Sequence, residues 1–411
     1  MMERVVIVGA GQAGAQVAIS LRQLGFAGAI TLLGEEAEPP YQRPPLSKAY
    51  LSGEMALERT LIRSPAYYAK SAIELLPGAR VERILPDERA IVVGDRQLPY
   101  DVLVLCTGTR ARRLGLSGED LGGVFYLRTL LDSERIRAAV RPGARAVIIG
   151  GGYIGLEVAA SLAKLGCKVR VVEALERVMN RVVAPPVSTF FAREHAAHGV
   201  EILTGAAVEE LAGGAVVEGV VCRDGRSLPA DLVVVGVGAV PNDELARDAG
   251  LMVDNGIVVD EFGRTSEPAI FAAGDVTNHP NALFERRLRL ESVHNAMAQA
   301  KAVAQAIAGQ PVPYAEVPWF WSDQYDLKLQ IAGVGDPDDE LILRGDPACR
   351  AFSCLHLRGG RLVAIDCVNR AGDFLAAKKL IGAGAAPERG RAADPAVPLS
   401  EAAAEIPGAA R

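Results

Sequence analysis

The chain has 411 residues, half of them apolar, which is too long for one ordinary core and enough for two or three. With 44 Lys and Arg against 50 Asp and Glu the formal charge is −6, so the basic excess of a nucleic-acid binder is missing. Apolar runs are short and broken by glycine or charge, below the ~20 residues a membrane-spanning helix needs, and no basic-then-apolar leader opens the sequence; a cytoplasmic protein without membrane or nucleic-acid partners is expected.

The first element is RVVIVGAGQAGAQ, residues 4–16. Val5 to Val8 form the continuous β-rich run of a central parallel strand buried on both faces. Gly9, Gly11 and Gly14 then follow the G-x-G-x-x-G pattern. In it the first glycine makes the tight turn, the second lets the backbone approach a diphosphate, and the third lets the helix pack on the strand. A helix is expected over 15–24, its N-terminus facing the anion. The next strand, AITLLGEE, ends at Glu35, about 20 residues beyond Gly14, the spacing of an acid that accepts a ribose hydroxyl.

After the segment PPYQRPPLSKAYLSGE (39–54), an apolar strand returns as DVLVLCTGT (101–109), ending at Thr107 and Gly108. The strand–glycine–helix pattern then repeats in AVIIGGGYIGLE, residues 146–157, with Gly150, Gly152 and Gly155. A helix is expected over 156–165, and the strand CKVRVVEA closes on Glu173, again about 20 residues on. An acid there favours the free 2′-hydroxyl of NADH over the extra phosphate of NADPH. A second return, DLVVVGVGAVPN (231–242), carries Gly236 and Gly238, and a third, PAIFAAGDVT (268–277), carries Gly274 and Asp275. The third return comes after the second domain has closed, so the first domain is discontinuous, with the second inserted into it.

A helix is expected over 290–309, opened by Glu291 and Ser292 and ended by Gly309. Both tryptophans fall in VPWFWSDQYDLKLQIAG (317–333), and LILRGD, AFSCLHL and RLVAIDCVN read as an antiparallel sheet followed by the helix AGDFLAAKKLIGAG. From about Ala385 periodicity fades, and only VPLSEA is expected to be anchored. The six cysteines are scattered; Cys349 and Cys354 have a spacing some redox sites use, but without further ligands they are read as free thiols, and no metal site is expected.

An N-terminal fingerprint, an inserted fingerprint and a late G-D resemble the two-dinucleotide flavoprotein reductases, along almost the whole chain. The ordered motifs R-P-P-L-S-K, G-G-G-Y-I-G-L-E-V-A, A-P-P-V-S, P-A-D-L-V, D-N-G-I-V-V and W-F-W-S-D-Q narrow this to the oxygenase-coupled, putidaredoxin reductase-like ferredoxin reductases. The resemblance implies an α/β fold: two Rossmann-like domains, for FAD (1–112 with 245–316) and NAD(H) (113–244), and a C-terminal α+β domain (317–411). It implies FAD contacts at Gly9, Gly11, Ala13, Gly14, Glu35, Arg43, Lys48, Val81, Thr107, Gly108, Arg128, Gly274, Asp275 and Val293. NADH contacts would be Gly150, Gly152, Ile154, Gly155, Glu173, Gly236 and Gly238.

No cysteine precedes position 106, so the disulfide relay of some superfamily members is excluded. In relatives the lysine of R-P-P-L-S-K lies beside the flavin N5 and pairs with a glutamate, here Lys48 and Glu157, while an aromatic of W-F-W-S-D-Q, here Trp321, covers the flavin. Val293 would place a helix dipole at the flavin N1–O2 edge. Trp319 is expected to pack in the C-terminal domain, and His294 to be structural or on the surface.

The implied reaction takes a hydride from NADH onto FAD and passes single electrons to a [2Fe–2S] ferredoxin serving a haem-thiolate monooxygenase or a ring-hydroxylating dioxygenase. Because ferredoxins are usually acidic, docking is expected at Arg286, Arg287, Arg289 and Lys301, with Arg63 as a weaker candidate. A monomer or weak homodimer is expected. The alternatives are another acceptor, such as rubredoxin, a quinone or oxygen, or an NADH-sensing flavoprotein.

Overall fold

A computed structural model of the chain describes residues 3–402. Contacts divide it into two compact units. One comprises the chain up to Gln42, Leu57–Arg110 and Ala239–Pro318; the other comprises Arg43–Ala56, Ala111–Gly238 and the chain from Trp319.

In the first unit the strand Arg4–Val8 is the centre of a five-stranded sheet. Its order is Ile270–Ala272, Val102–Leu105, Arg4–Val8, Ala29–Leu33, Ile73–Leu76, and every pairing is parallel. A strand's side chains alternate between faces, and here both faces are buried. Val5 and Ile7 pack with Val17 and Leu21 of the helix Gln12–Gln23 and Val303 of the helix Val293–Ile307. Val6 and Val8 join Ile91, Leu103 and Ile257 on the other face. The late return strand sits at the sheet edge beside Val102–Leu105, so three stretches of chain build one sheet.

The second unit repeats the plan around Arg145–Ile149, in the order Glu201–Leu203, Lys168–Val172, Arg145–Ile149, Leu232–Val235, Val124–Tyr126, again parallel. It also holds an antiparallel sheet, ordered Trp319–Gln324, Leu327–Gly333, Arg361–Val368, Ala351–Arg358, Glu340–Asp346, followed by the helix Ala371–Gly382. The sequence suggested a separate C-terminal domain, whereas contacts group this sheet with the inserted parallel-sheet lobe. The reason is one shared apolar cluster, in which Leu156, Val158 and Leu162 of the helix Tyr153–Lys164 join Leu327, Leu329, Phe352 and Val368. Leu51, from the segment Arg43–Ala56, is buried in the same cluster, which ties that segment to the second unit as well.

The tail is held further than its sequence suggested. Leu399 of the anchored VPLSEA stretch is buried, but so are Ala385 and Ala392, and Arg389–Ala393 is a short helix. Arg344, only 1% exposed, donates to the carbonyls of Ala392, Asp394 and Val397 and pairs with Asp373 at 3.1 Å. Residues 403–411 of the expected tail lie outside the described residues. Among the described residues no helix is long and apolar enough to cross a membrane, and no group of three or more His, Cys, Asp or Glu is placed to hold a metal ion.

Candidate functional site: two dinucleotide cradles and a buried ion pair

Both fingerprints fold into the same turn. Gly9 has φ +109° and donates its N–H to the Leu33 carbonyl at 2.8 Å; Gly150 has φ +105° and donates to the Val172 carbonyl at 2.8 Å. A Cβ on Gly9 would stand 2.2 Å from the Cys106 oxygen, and one on Gly14 2.0 Å from the Gly9 oxygen. The same additions at Gly150 and Gly155 would meet the oxygens of Gly236 at 2.3 Å and Gly150 at 2.0 Å. Gly11 and Gly152 differ, for nothing lies within 4 Å of a Cβ at either. The chain's own backbone therefore dictates the first and third glycines, while the second leaves open room in front of a helix. Neither Gly11 nor Gly152 supplies a side-chain cap, so the first-turn N–H groups of both helices face that room. A cradle of this form fits a diphosphate, and the residues present suit a dinucleotide at each place.

The remaining first-unit residues gather around their cradle. Gly274, at φ +89°, is so close to the fingerprint helix that a Cβ would stand 2.9 Å from that of Ala13. Its N–H donates to Gln299 Oε1 at 2.8 Å, which also accepts from Thr277 Oγ1. The Asp275 carbonyl accepts from Arg289 at 3.3 Å. Val293 begins its helix, capped by Ser292 Oγ, which accepts from the Asn295 N–H at 3.1 Å. Thr107 Oγ1 donates to the Asn242 carbonyl at 2.6 Å, and the Asn242 N–H donates to that of Gly108 at 3.0 Å. Asn242 thus holds Thr107 and Gly108, a contact that the glycine spacing did not reveal. Val81 is buried, and Glu35 is exposed and 3.2 Å from Arg80.

In the second unit Glu173 sits at its own cradle: one carboxylate oxygen accepts from the Gly151 N–H at 2.7 Å and the other from the Leu175 N–H at 2.8 Å. Ile154, in the first turn, is 45% exposed, a large apolar side chain beside open space. Gly236 donates its N–H to the Ile149 carbonyl at 2.7 Å, and the Gly238 carbonyl accepts from Arg112. Both helices begin earlier than expected, at Gln12 and Tyr153, because each middle glycine is itself the cap.

Arg43, Lys48 and Arg128, expected among the FAD contacts, all belong to the second unit. Arg43 donates to the Arg128 carbonyl at 2.7 Å. The Lys48 ammonium lies 2.5 Å from Glu157 Oε2, the expected pair, with the lysine side chain 20% exposed and the glutamate 1%. Ser47 Oγ donates to the same oxygen at 2.6 Å, and Ser322 Oγ to Oε1 at 2.6 Å. Lys48 also donates to the Pro44 carbonyl at 3.1 Å, and Ser161 Oγ holds the Ser47 carbonyl at 2.7 Å. Ser47 and Ser322 had a sequence signal, since each lies inside a quoted motif.

Trp319 packs edge-on against Phe374 at 5.6 Å, with the Lys378 ammonium over its ring. Trp321 stands 5.6 Å from Trp319 on the same strand and keeps part of its surface open. The six cysteines are free thiols; Cys349 is exposed, and burial pushes the Cys354 thiol up to about 12. The basic group proposed for docking is less available than its sequence implied. Arg289 pairs with Glu291 at 2.7 Å and its side chain is 14% exposed; Arg287 is bound to the Val259 and Asn278 carbonyls. Arg286, Arg287 and Lys301 are nevertheless exposed.

The sequence matches the pyridine nucleotide-disulphide oxidoreductase family over residues 3–300 and the reductase C-terminal family over 319–403. It is 47% identical to a probable ferredoxin reductase of Castellaniella defragrans, covering 97% of this chain and 98% of that one. It is 44% identical to a putidaredoxin reductase of Pseudomonas putida, covering 97% and 96%. The fold superposes with a TM-score of 0.94 on the reductase in a crystal structure of the covalent putidaredoxin reductase–putidaredoxin complex, at 44% identity over 97% of both chains.

Proposed function

The chain belongs to the pyridine nucleotide-disulphide oxidoreductase family, and from that we propose that it is an NADH-dependent, FAD-containing ferredoxin reductase. Its acceptor is a [2Fe–2S] ferredoxin that serves a haem-thiolate monooxygenase or a ring-hydroxylating dioxygenase. The observation that carries the reading is the duplicated cradle, with a middle glycine facing open space in each, in a chain whose relatives are named ferredoxin reductases. When bound, FAD would supply the chemistry the reaction needs, uptake of two electrons as hydride and their release one at a time.

The chain's residues bind and orient. The Gly9–Gly14 turn holds the diphosphate of FAD at a helix N-terminus, with Ala13, Val81, Thr107, Gly108, Gly274 and Asp275 around it. Glu35 takes its ribose, and Val293 turns a helix dipole on the negative charge that reduction brings. The Gly150–Gly155 turn holds NADH, and Ile154, Gly236 and Gly238 flank it. Glu173 selects the free 2′-hydroxyl over a phosphate. Lys48, kept in place by Glu157, supplies positive charge to the flavin, together with Arg43 and Arg128, and Trp321 limits access of nicotinamide to it. Ferredoxin docks at the exposed Arg286 and Lys301, with Arg289 acting within its pair with Glu291. Purified protein should be yellow and lose that colour with NADH under anaerobic conditions; a colourless chain that takes up no FAD would overturn the reading.

A further inference from the structure

Glu157 is the end of a longer line of side chains. Ser322 Oγ, which donates to Glu157 Oε1, accepts from Gln324 Nε2 at 3.1 Å. Gln324 Oε1 lies 2.8 Å from His195 Nε2, and His195 Nδ1 lies 2.9 Å from the Tyr325 hydroxyl. Glu157, Ser322, Gln324 and His195 are each at most 2% exposed, amid Phe190, Phe191 and Leu327. Buried polar groups in apolar surroundings are costly unless each is satisfied, and in this line each is.

The directions are fixed from both ends. Glu157, as a carboxylate, only accepts, so Ser322 must donate to it and accept from the Gln324 amide. Gln324 then offers its oxygen to His195, which must carry its proton on Nε2. Burial lowers the His195 pKa to about 4, so the ring is neutral and its Nδ1 accepts from Tyr325. Every donor from Tyr325 onward points towards Glu157. An amide in the middle does not relay protons as a hydroxyl or imidazole would, which makes the line an orienting device rather than a proton path.

We propose that His195, through Gln324 and Ser322, is a positioning residue for the Lys48–Glu157 pair, fixing the carboxylate that places the lysine. This rests on the reading that the pair serves the flavin. His195 lies in the helix Pro185–Ala197, and Gln324 ends the strand Trp319–Gln324, so the helix and the C-terminal sheet together set the rotamer of Glu157.

The test uses the FAD-loaded protein with His195→Phe, Gln324→Leu and Ser322→Ala, each alone and in a Glu157→Gln background. Stopped-flow mixing with NADH separates the limiting rate of flavin reduction from the NADH dissociation constant, and a dye-coupled titration gives the FAD midpoint potential. Each single variant is expected to slow reduction about tenfold, the effect of misplacing one charge-assisted hydrogen bond, with NADH affinity unchanged and the potential lowered. In the Glu157→Gln background none should add a further loss. Nitrogen NMR of labelled histidine should show His195 neutral with its proton on Nε2. Losses that persist in the Glu157→Gln background, an unchanged potential, or the opposite tautomer would overturn the proposal. A wild-type protein that NADH does not reduce would instead overturn the functional reading beneath it.

Discussion

Lys48 Nζ lies 2.5 Å from Glu157 Oε2, joining the segment Arg43–Ala56 to the helix Tyr153–Lys164 by an ion pair whose acid is almost wholly buried. Removing one partner of such a pair strands the other charge. Lys48→Met should lower unfolding stability by about 3 kcal/mol, the lower end of the range for buried pairs because the lysine keeps some solvent contact. Glu157→Gln, whose one amide oxygen can still accept from either Ser47 or Ser322, should cost less. Denaturant unfolding of both variants measures the difference, and equal losses would argue against a buried charge at Glu157.

The glycines of each cradle make separable predictions. Gly152→Ala puts a methyl into open room, so the protein should fold, keep its FAD and bind NADH at least about tenfold more weakly, through lost close approach of the diphosphate. Gly11→Ala should instead lose FAD while NADH binding survives. Gly150→Ala, where φ is +105° and a backbone oxygen is 2.3 Å from the new Cβ, should impair folding itself. Flavin absorbance and NADH titration of the three variants check the order.

Glu173 is the residue proposed to set the coenzyme choice. Glu173→Ala should reduce the NADH over NADPH preference in kcat/KM about tenfold or more, by removing the acceptor for the ribose hydroxyls and the repulsion of a phosphate. The same change frees the Gly151 and Leu175 N–H groups, so a modest fall in thermal stability should accompany it. Unchanged selectivity in steady-state assays with both coenzymes would sink the assignment.

Two buried histidines set an acid weakness. Burial lowers the pKa of both His195 and His279 from 6.5 to about 4, with Arg287 adding to the effect at His279. An unfolded chain takes up these protons first as pH falls. The contribution is therefore complete above about 6.5 and lost progressively towards 4, by up to about 3 kcal/mol for each. Melting temperature should fall between pH 7 and 5, and His279→Gln should flatten the curve.

The two cradles, the discontinuous first sheet and the Lys48–Glu157 pair were legible because their signals are local: glycine spacing, strand returns and short motifs. The line from Tyr325 to Glu157 was not, since His195 meets Gln324 only when a helix packs on a sheet 129 residues away. Nothing in the sequence marked Arg344, which is buried because three tail carbonyls and Asp373 satisfy it. Arg289 looked like free basic charge, yet it pairs with Glu291 two residues on, which composition does not reveal.

Docking charge is the remaining prediction. Lys301→Glu with Arg286→Glu should lower kcat/KM for an acidic ferredoxin about tenfold at low ionic strength, and the deficit should shrink as salt screens it. Equal rates and salt dependence in wild type and variant would move the docking surface elsewhere.

The most direct test of the central claim is an anaerobic single-turnover experiment. The FAD-loaded chain is reduced with one equivalent of NADH and mixed with an oxidised [2Fe–2S] ferredoxin from a haem-thiolate or ring-hydroxylating system. Rapid return of flavin colour with two ferredoxins reduced per NADH is the predicted result. A flavin that NADH bleaches but that passes nothing to any such ferredoxin, while a quinone, rubredoxin or oxygen reoxidises it quickly, would contradict it.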